Sequence, residues 1–168
     1  MSDRTPKLKT FPPIGWREWV ALPDLGISLI KAKVDTGARS SALHAFKIKE
    51  IPDGNRTVIS FKVHPFQRDA KTTLDCQAEL LEYREVRSSG GHVTLRPVVL
   101  TTIHFMDRNW PIELTLVGRD SMGFRMLLGR EAVRGRYFVD AGHSFYGGKP
   151  QRPINNKPKK KKKKRSNG

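Results

Sequence analysis

The chain has 168 residues, 37% of them apolar, and a formal net charge of +16. That length suits one domain with a hydrophobic core of its own. No run reaches the roughly 18 apolar residues that span a bilayer, and residues 1–10 lack the apolar stretch of a secretory leader, so we expect a cytoplasmic protein with no membrane partner.

The single cysteine, Cys76, cannot form an intrachain disulfide, which fits a reducing compartment. From Gly147 onward there are ten basic residues and no acid, so residues 1–146 carry only +6. We therefore expect a flexible arm over residues 1–13, a folded domain over 14–146, and a disordered lysine-rich tail over 147–168.

In chain order, residues 16–22 read as a first strand, and Pro23-Asp24-Leu25-Gly26 as a turn. In residues 27–34, Ile30, Ala32 and Val34 alternate with Lys31 and Lys33, the period of a half-buried strand. This strand runs into Asp35-Thr36-Gly37-Ala38. Gly37 is expected to take a positive φ in a sharp turn there, and Thr36 and Ser40 to hydrogen-bond nearby backbone.

Residues 42–48 read as a third, short strand. Residues 52–56 make a hairpin turn and 57–63 the strand that answers it. His64-Pro65 ends that strand, and residues 67–71 are a polar loop. Residues 72–86 and 93–105 flank a glycine hairpin at Ser88–His92, and residues 106–109 turn into a strand over 110–117. A loop over 119–123, a short buried strand over 124–128, one helical turn over 131–134 and a last strand over 137–140 complete the pattern. Many short strands with glycine turns and little helix indicate an all-β barrel or sandwich. Cys76, between Leu74 and Leu80, reads as a small buried hydrophobe rather than a nucleophile.

Asp35 alone is a common turn residue. Yet apolar-Asp-Thr-Gly-Ala is also the loop of aspartic peptidases, and Met126-Leu127-Leu128-Gly129-Arg130 resembles the element that packs beside that loop in retropepsins. Four segments extend the likeness: Gly15-Trp-Arg-Glu-Trp-Val20, residues 33–45, Arg96-Pro-Val-Val99, and residues 123–131. Together they resemble the bacterial and archaeal retropepsin-like family labelled ATP-dependent zinc proteases, which is often associated with ATP-grasp ligases that add glutamate to proteins.

The resemblance implies a retropepsin-like closed β-barrel, one subunit of a homodimer, with Asp35, Thr36 and Gly37 as the catalytic loop. Peptide hydrolysis of this kind needs two carboxylates sharing a proton. One Asp-Thr-Gly per chain is satisfied by a C2 dimer that sets Asp35 against its symmetry mate. Thr36 would hold the two loops together, and Gly37 would let substrate backbone approach. Asp140, in Val139-Asp-Ala-Gly142, is a weaker second aspartate because it lacks the threonine, and Asp120 is weaker still.

One departure matters. Retroviral enzymes carry an acid four residues after the catalytic aspartate, paired to the arginine of the Gly-Arg element; here that position is Arg39, so a pair to Arg130 cannot form, and Glu131 is the candidate replacement. Arginine beside the loop favours an acidic substrate, because its fork binds carboxylates bidentately. Arg39, Arg96 and Arg125, with Ser40 and His44, form the candidate substrate-binding set. The resemblance points the same way, to trimming of glutamate tails that a ligase has added, for example to a ribosomal protein. The Gly90-Gly91 hairpin is a candidate flap.

The zinc label finds little support in the five histidines: no His-Glu-x-x-His and no i, i+4 pair occurs. A dispersed site of His44, His92 and Cys76 is the remaining option, and no metal or cofactor is expected. No Walker loop occurs, so a link to ATP would run through a partner ligase. Six consecutive lysines, 159–164, suit RNA or a ribosome surface through counterion release. Two rival readings stay open: a non-catalytic module that binds acidic tails or RNA, and a zinc metallopeptidase.

Overall fold

Alternating burial builds most of the described residues into strands. The structure, a computed structural model, describes residues 10–88, 90–118 and 123–150. Its elements are β1 (Pro13–Gly15), β2 (Arg17–Leu22), β3 (Ile27–Asp35), β4 (Ser41–His44), β5 (Phe46–Asp53), β6 (Arg56–Val63), β7 (Leu74–Arg87), β8 (Val93–Phe105), β9 (Arg108–Val117), β10 (Met126–Gly129), the single-turn helix α1 (Arg130–Val133), and β11 (Phe138–Asp140). The all-β expectation holds. Asp120, the arm up to residue 9 and the lysine run lie outside the described residues.

Nine strands form one sheet in the order β2-β3-β10-β4-β9-β8-β7-β6-β5, and β1 and β11 form a second, two-stranded one. One bridge, Ala21 opposite His104, also ties β2 to β8. The order follows from where each strand's apolar face must go. Ile30, Ala32 and Val34 of β3, Leu43 of β4, Leu114 and Leu116 of β9, and Met126 and Leu128 of β10 meet in one core. Fully burying each large side chain stabilises by about 1.5–3 kcal/mol.

The short strand β10 is the keystone. It runs parallel to β3, with Leu128 opposite Val34 and Gly129 opposite Asp35. On its other side it runs antiparallel to β4, with Met126 opposite Leu43. A strand from the C-terminal part of the chain is thus inserted between two strands that are neighbours in sequence.

Two expectations need correction. The single strand over 42–48 is two strands that part at Ala45. β4 pairs in parallel with β9, and β5 leaves to pair with β6. Ala45 N–H still donates to Val117 O (3.0 Å), and Lys47 takes a φ of 51° as the chain swings away. The turn expected at Pro23–Gly26 is present as a 3-10 turn, closed by Gly26 at a φ of 69°. Second, β1 was not expected. It runs parallel to β11, and Phe11 meets the Phe138 ring edge-on at 5.3 Å.

A buried carboxylate ties Gly15 to residues 146–147. Glu18 is fully buried. Its Oε1 accepts hydrogen bonds from Gly15 N–H and Tyr146 N–H, both at 2.8 Å, and its Oε2 from Gly147 N–H at 3.3 Å. Charge-assisted bonds of this kind are the strong ones, and here they fasten residues 146–147 onto the β1–β2 corner.

Candidate functional site

β3 alternates, so Ala32 and Val34 face the core while Lys31, Lys33 and Asp35 face outward. Asp35 stands half-buried at the strand's end. Its Oδ1 accepts hydrogen bonds from Gly37 N–H (3.1 Å) and Ala38 N–H (3.2 Å), the local pattern by which Asp stabilises a turn. Oδ2 has no partner among the described residues. The carboxylate is thus oriented by its own loop through one oxygen.

Gly37 does not take the expected positive φ. Its reason is space: a Cβ there would lie 3.3 Å from Asp35 Oδ1.

The loop is gripped from behind by the β10–α1 junction. Arg130 N–H donates to Ala38 O (2.8 Å) and Glu131 N–H to Arg39 O (3.1 Å). The Arg130 guanidinium donates to Thr36 O at 3.0 Å. Gly129 N–H donates to Ser41 Oγ, also at 3.0 Å. A Cβ on Gly129 would stand 2.4 Å from Ser40 C and 2.5 Å from Ser40 O, so only glycine lets the two backbones approach. Arg130 therefore works without the acid missing from position 39: it binds a loop carbonyl. Glu131 does not stand in for that acid, because its carboxylate pairs with Arg134 at 2.8 Å.

The other predicted site residues fall into three places. Arg39 and Ser40 line a cleft of about 240 Å³ together with Leu100, Glu113 and Glu131. His44 and Arg125 lie together at the far end of β4: His44 is buried, and Arg125 Nη1 donates to His44 Nδ1 at 3.5 Å. The structure thus sets His44 beside Arg125. Arg96 sits on the β7–β8 hairpin, where its Nε donates to Thr94 Oγ1 (3.0 Å). At the hairpin's tip Ser88 N–H donates to His92 O (2.8 Å), and Gly91 has a φ of 82°.

Asp140 lies in the two-stranded sheet, with its carboxylate engaged. Tyr146 O–H, Gly142 N–H and His143 Nδ1 all bond it, and Tyr146 foremost holds its carboxyl down at a pKa of about 2. Cys76 is buried as expected. Its Sγ donates to Leu25 O at 3.3 Å, and burial pushes the thiol up to about 11. Among the described residues no three His, Cys, Asp or Glu side chains converge, so His44, His92 and Cys76 do not come together as a site.

Sequence reasoning missed two features. Ser41, which receives Gly129 N–H, has no motif signal beyond its place in the small-residue run. A wide basic cleft of about 700 Å³, lined by Arg17, Lys31, Arg68 and Arg125 with Gln67 and Phe124, was also missed. The outward alternation of Lys31 was legible; the approach of Arg68 from a distant loop was not.

An Asp-Thr-Gly loop at a strand end, gripped by Gly-Arg on an inserted strand, defines a retropepsin-like chain. The family described as retropepsin-like aspartic endopeptidase RimB matches residues 13–150, and this chain belongs to that RimB-like family. A Legionella pneumophila protein, Lpg0085, described as of unknown function, shares the fold with a TM-score of 0.69 and 28% identity over 82% of this chain and 99% of its own. A Shewanella halifaxensis protein named "Probable alpha-L-glutamate ligase" is 43% identical over 132 residues, 79% of this chain and 29% of its own length. A Parasynechococcus marenigrum protein of the same name is 46% identical over 127 residues, 76% of this chain and 27% of its own. The chain thus spans less than a third of the curated relatives it matches.

Proposed function

We propose that this chain is an aspartic peptidase that hydrolyses peptide bonds in glutamate-rich or glutamylated protein tails, with Asp35 of two copies as the catalytic pair. The observation that carries the reading is the presentation of Asp35: one oxygen tied to its loop, the loop clamped by Gly129 and Arg130, and the carboxylate facing outward. In the dimer the two carboxylates share one proton. One takes a proton from a water as its oxygen bonds the scissile carbonyl carbon, and the other donates to the carbonyl oxygen. Collapse breaks the C–N bond as the first carboxyl passes the water's proton to the leaving nitrogen and a diol hydroxyl returns its proton to the second carboxylate, leaving an acid and an amine. On this reading Thr36 joins the two loops across the dimer axis, and β2, β3, β10, β4, β9 and β8 would close into the barrel of each subunit, a closure the Ala21–His104 bridge supports.

The glutamate substrate is supported by the relatives named as glutamate ligases, in which a region like this chain makes up 29% or less of a longer protein. A tail made by such a ligase is a natural substrate for a peptidase allied to it. The basic side chains Arg39, Arg96 and Arg125 suit that substrate. The domain of residues 14–146 would act in the cytoplasm, with the N-terminal arm and the lysine-rich tail as flanks, and the tail would bring it to RNA or a ribosome surface. Among the described residues no helix is long and apolar enough to cross a membrane.

Mass spectrometry of a peptide with a C-terminal oligoglutamate tail tests the reading. Wild type should release glutamate, Asp35→Asn should not, and a chelator should make no difference. Release that survives Asp35→Asn but not the chelator would restore the zinc peptidase. No release by folded, dimeric wild type would leave the binding module.

A further inference from the structure

The basic cleft and Asp35 belong to one surface. In β3, Lys31, Lys33 and Asp35 project on the same outward face, because Ala32 and Val34 between them are buried. Arg17 of β2 is the antiparallel partner of Lys33, so it shares that face. Arg125 precedes Met126, the parallel partner of Ala32, which sets it beside Lys31. Arg68 closes the cleft from the loop after β6, and Gln67 of that loop donates to Gly123 O. At roughly 3.3 Å per residue, Lys33 lies about 7 Å and Lys31 about 13 Å along the strand from Asp35.

None of these five cations pairs with a carboxylate among the described residues. That sets them apart from Arg84 and Arg134, each of which has an acid within 2.9 Å. Two are held in place by other means. Arg17 stacks on Trp16 at 4.5 Å and on Phe145 at 5.0 Å, and its Nε donates to Ser144 Oγ at 3.2 Å. Lys31 Nζ lies 5.1 Å from the centre of the Trp19 ring. Holding cations rigid on aromatic faces, without neutralising them, leaves their charge for an anion and reduces the entropy lost on binding.

Resting on the peptidase reading above, we infer that this row is a substrate subsite that reads alternate acidic side chains. An extended oligoglutamate projects every second carboxylate to one side, at a repeat of about 7 Å. That repeat matches the spacing from Asp35 to Lys33 and from Lys33 to Lys31. The first carboxylate on the binding side meets Lys33 and Arg17. The next, two residues further, enters the cleft among Lys31, Arg68 and Arg125. The cleft thus sets a minimum length of acidic tail, and it selects for acidity at alternate positions rather than for overall charge.

Two measurements test this. The first is cleavage of a peptide series in which each glutamate in turn is replaced by glutamine. Cleavage should fall at positions two and four from the cut and stay near the parent value at the positions between. The second is binding of a labelled oligoglutamate by Asp35→Asn protein, followed by fluorescence anisotropy. Lys31→Ala and Arg68→Ala in that background should each weaken binding about fivefold, the effect of an exposed ion pair. Arg56→Ala, which removes one charge at the β5–β6 turn, should leave it unchanged. In active protein the same two changes should raise KM and spare kcat. Uniform effects along the peptide, or equal losses with Arg56→Ala, would overturn the subsite as mere charge attraction. Should wild type cleave nothing while the Asp35→Asn protein still binds and loses binding with Lys31→Ala, the peptidase reading fails and the subsite stands.

Discussion

Gly129→Ala is the sharpest test of how the fold positions the candidate site. The added Cβ would lie 2.4 Å from Ser40 C, 2.5 Å from Ser40 O and 2.8 Å from Ser41 N. Ordinary contact begins near 3.4 Å, so the two strands must part by about 1 Å. All three atoms are backbone, so no side chain can rotate away. Gly129 has a φ of −77°, which alanine adopts without strain, so the effect is one of space alone. Overpacking of this kind costs about 1–3 kcal/mol and sometimes more; with the Gly129–Ser41 bond also strained, we expect about 3 kcal/mol. The displacement reaches Asp35, because Gly129 is its register partner and residues 38–39 hang from the next two N–H groups. A 1 Å misplacement costs about a hundredfold in rate. Urea unfolding gives the stability, and peptide cleavage at a temperature where the variant stays folded gives the activity. Gly118→Ala, whose Cβ would find nothing nearer than 3.8 Å, is the control and should match wild type. A Gly129→Ala protein with a wild-type urea midpoint would refute the packing argument. One that is destabilised but fully active would refute the link from β10 to the Asp35 loop.

Three further outcomes are expected. Glu18→Ala strands the N–H groups of Gly15, Tyr146 and Gly147. Unpaired buried donors cost about 1–3 kcal/mol each, but residues 146–147 can turn to solvent, so the loss should be about 3 kcal/mol, with faster amide exchange confined at first to residues 143–147; a variant as stable as wild type would show that the carboxylate does not fasten residues 146–147. Asp140, held at about 2 by Tyr146 first and then by Gly142 and His143, has a folded pKa below its unfolded value of roughly 3.9. Its contribution is therefore full above about pH 5 and lost as pH falls through the unfolded and then the folded value, so the stability gap between wild type and Asp140→Asn should be flat from neutral pH to about 5 and should close between there and about pH 2. The Cys76 thiol, buried and raised to about 11, should react with a disulfide reagent at pH 8 only in urea; rapid labelling of native protein would contradict its place in the core.

Local signals made much of this architecture legible. The alternation of Ile30, Ala32 and Val34 with Lys31 and Lys33 fixes both the strand and the face that carries Asp35. The glycine hairpin at Ser88–His92 and the two long strands beside it are local as well, and the boundaries of β8 matched. What failed was non-local. The break at Ala45 exists because β4 is captured by β9 and β10 while β5 is captured by β6, and residues 42–48 carry no sign of that competition. β1 is three residues long and exists only because β11 lies alongside it. Glu131 was read from its position next to Arg130, but an exposed carboxylate takes the nearest cation a helical turn away, which is Arg134.

The same distinction explains why the candidate catalytic loop could be read and its surroundings could not. Asp35, Thr36 and Gly37 are consecutive, so a short motif captures them. The groups that give the loop its geometry arrive from residues 129–131, and the cations on its face arrive from β2, from the loop after β6 and from the residue before β10. β3 divides these duties between its two faces. Its buried side is fixed by packing on β10 and the core, so substitutions at Ala32, Val34 or Gly129 act first on stability. Its outward side carries Lys31, Lys33 and Asp35, which make few internal contacts. Substitutions there should alter binding or turnover while the fold survives, and that separation of effects is what makes the roles assigned to this face measurable one residue at a time.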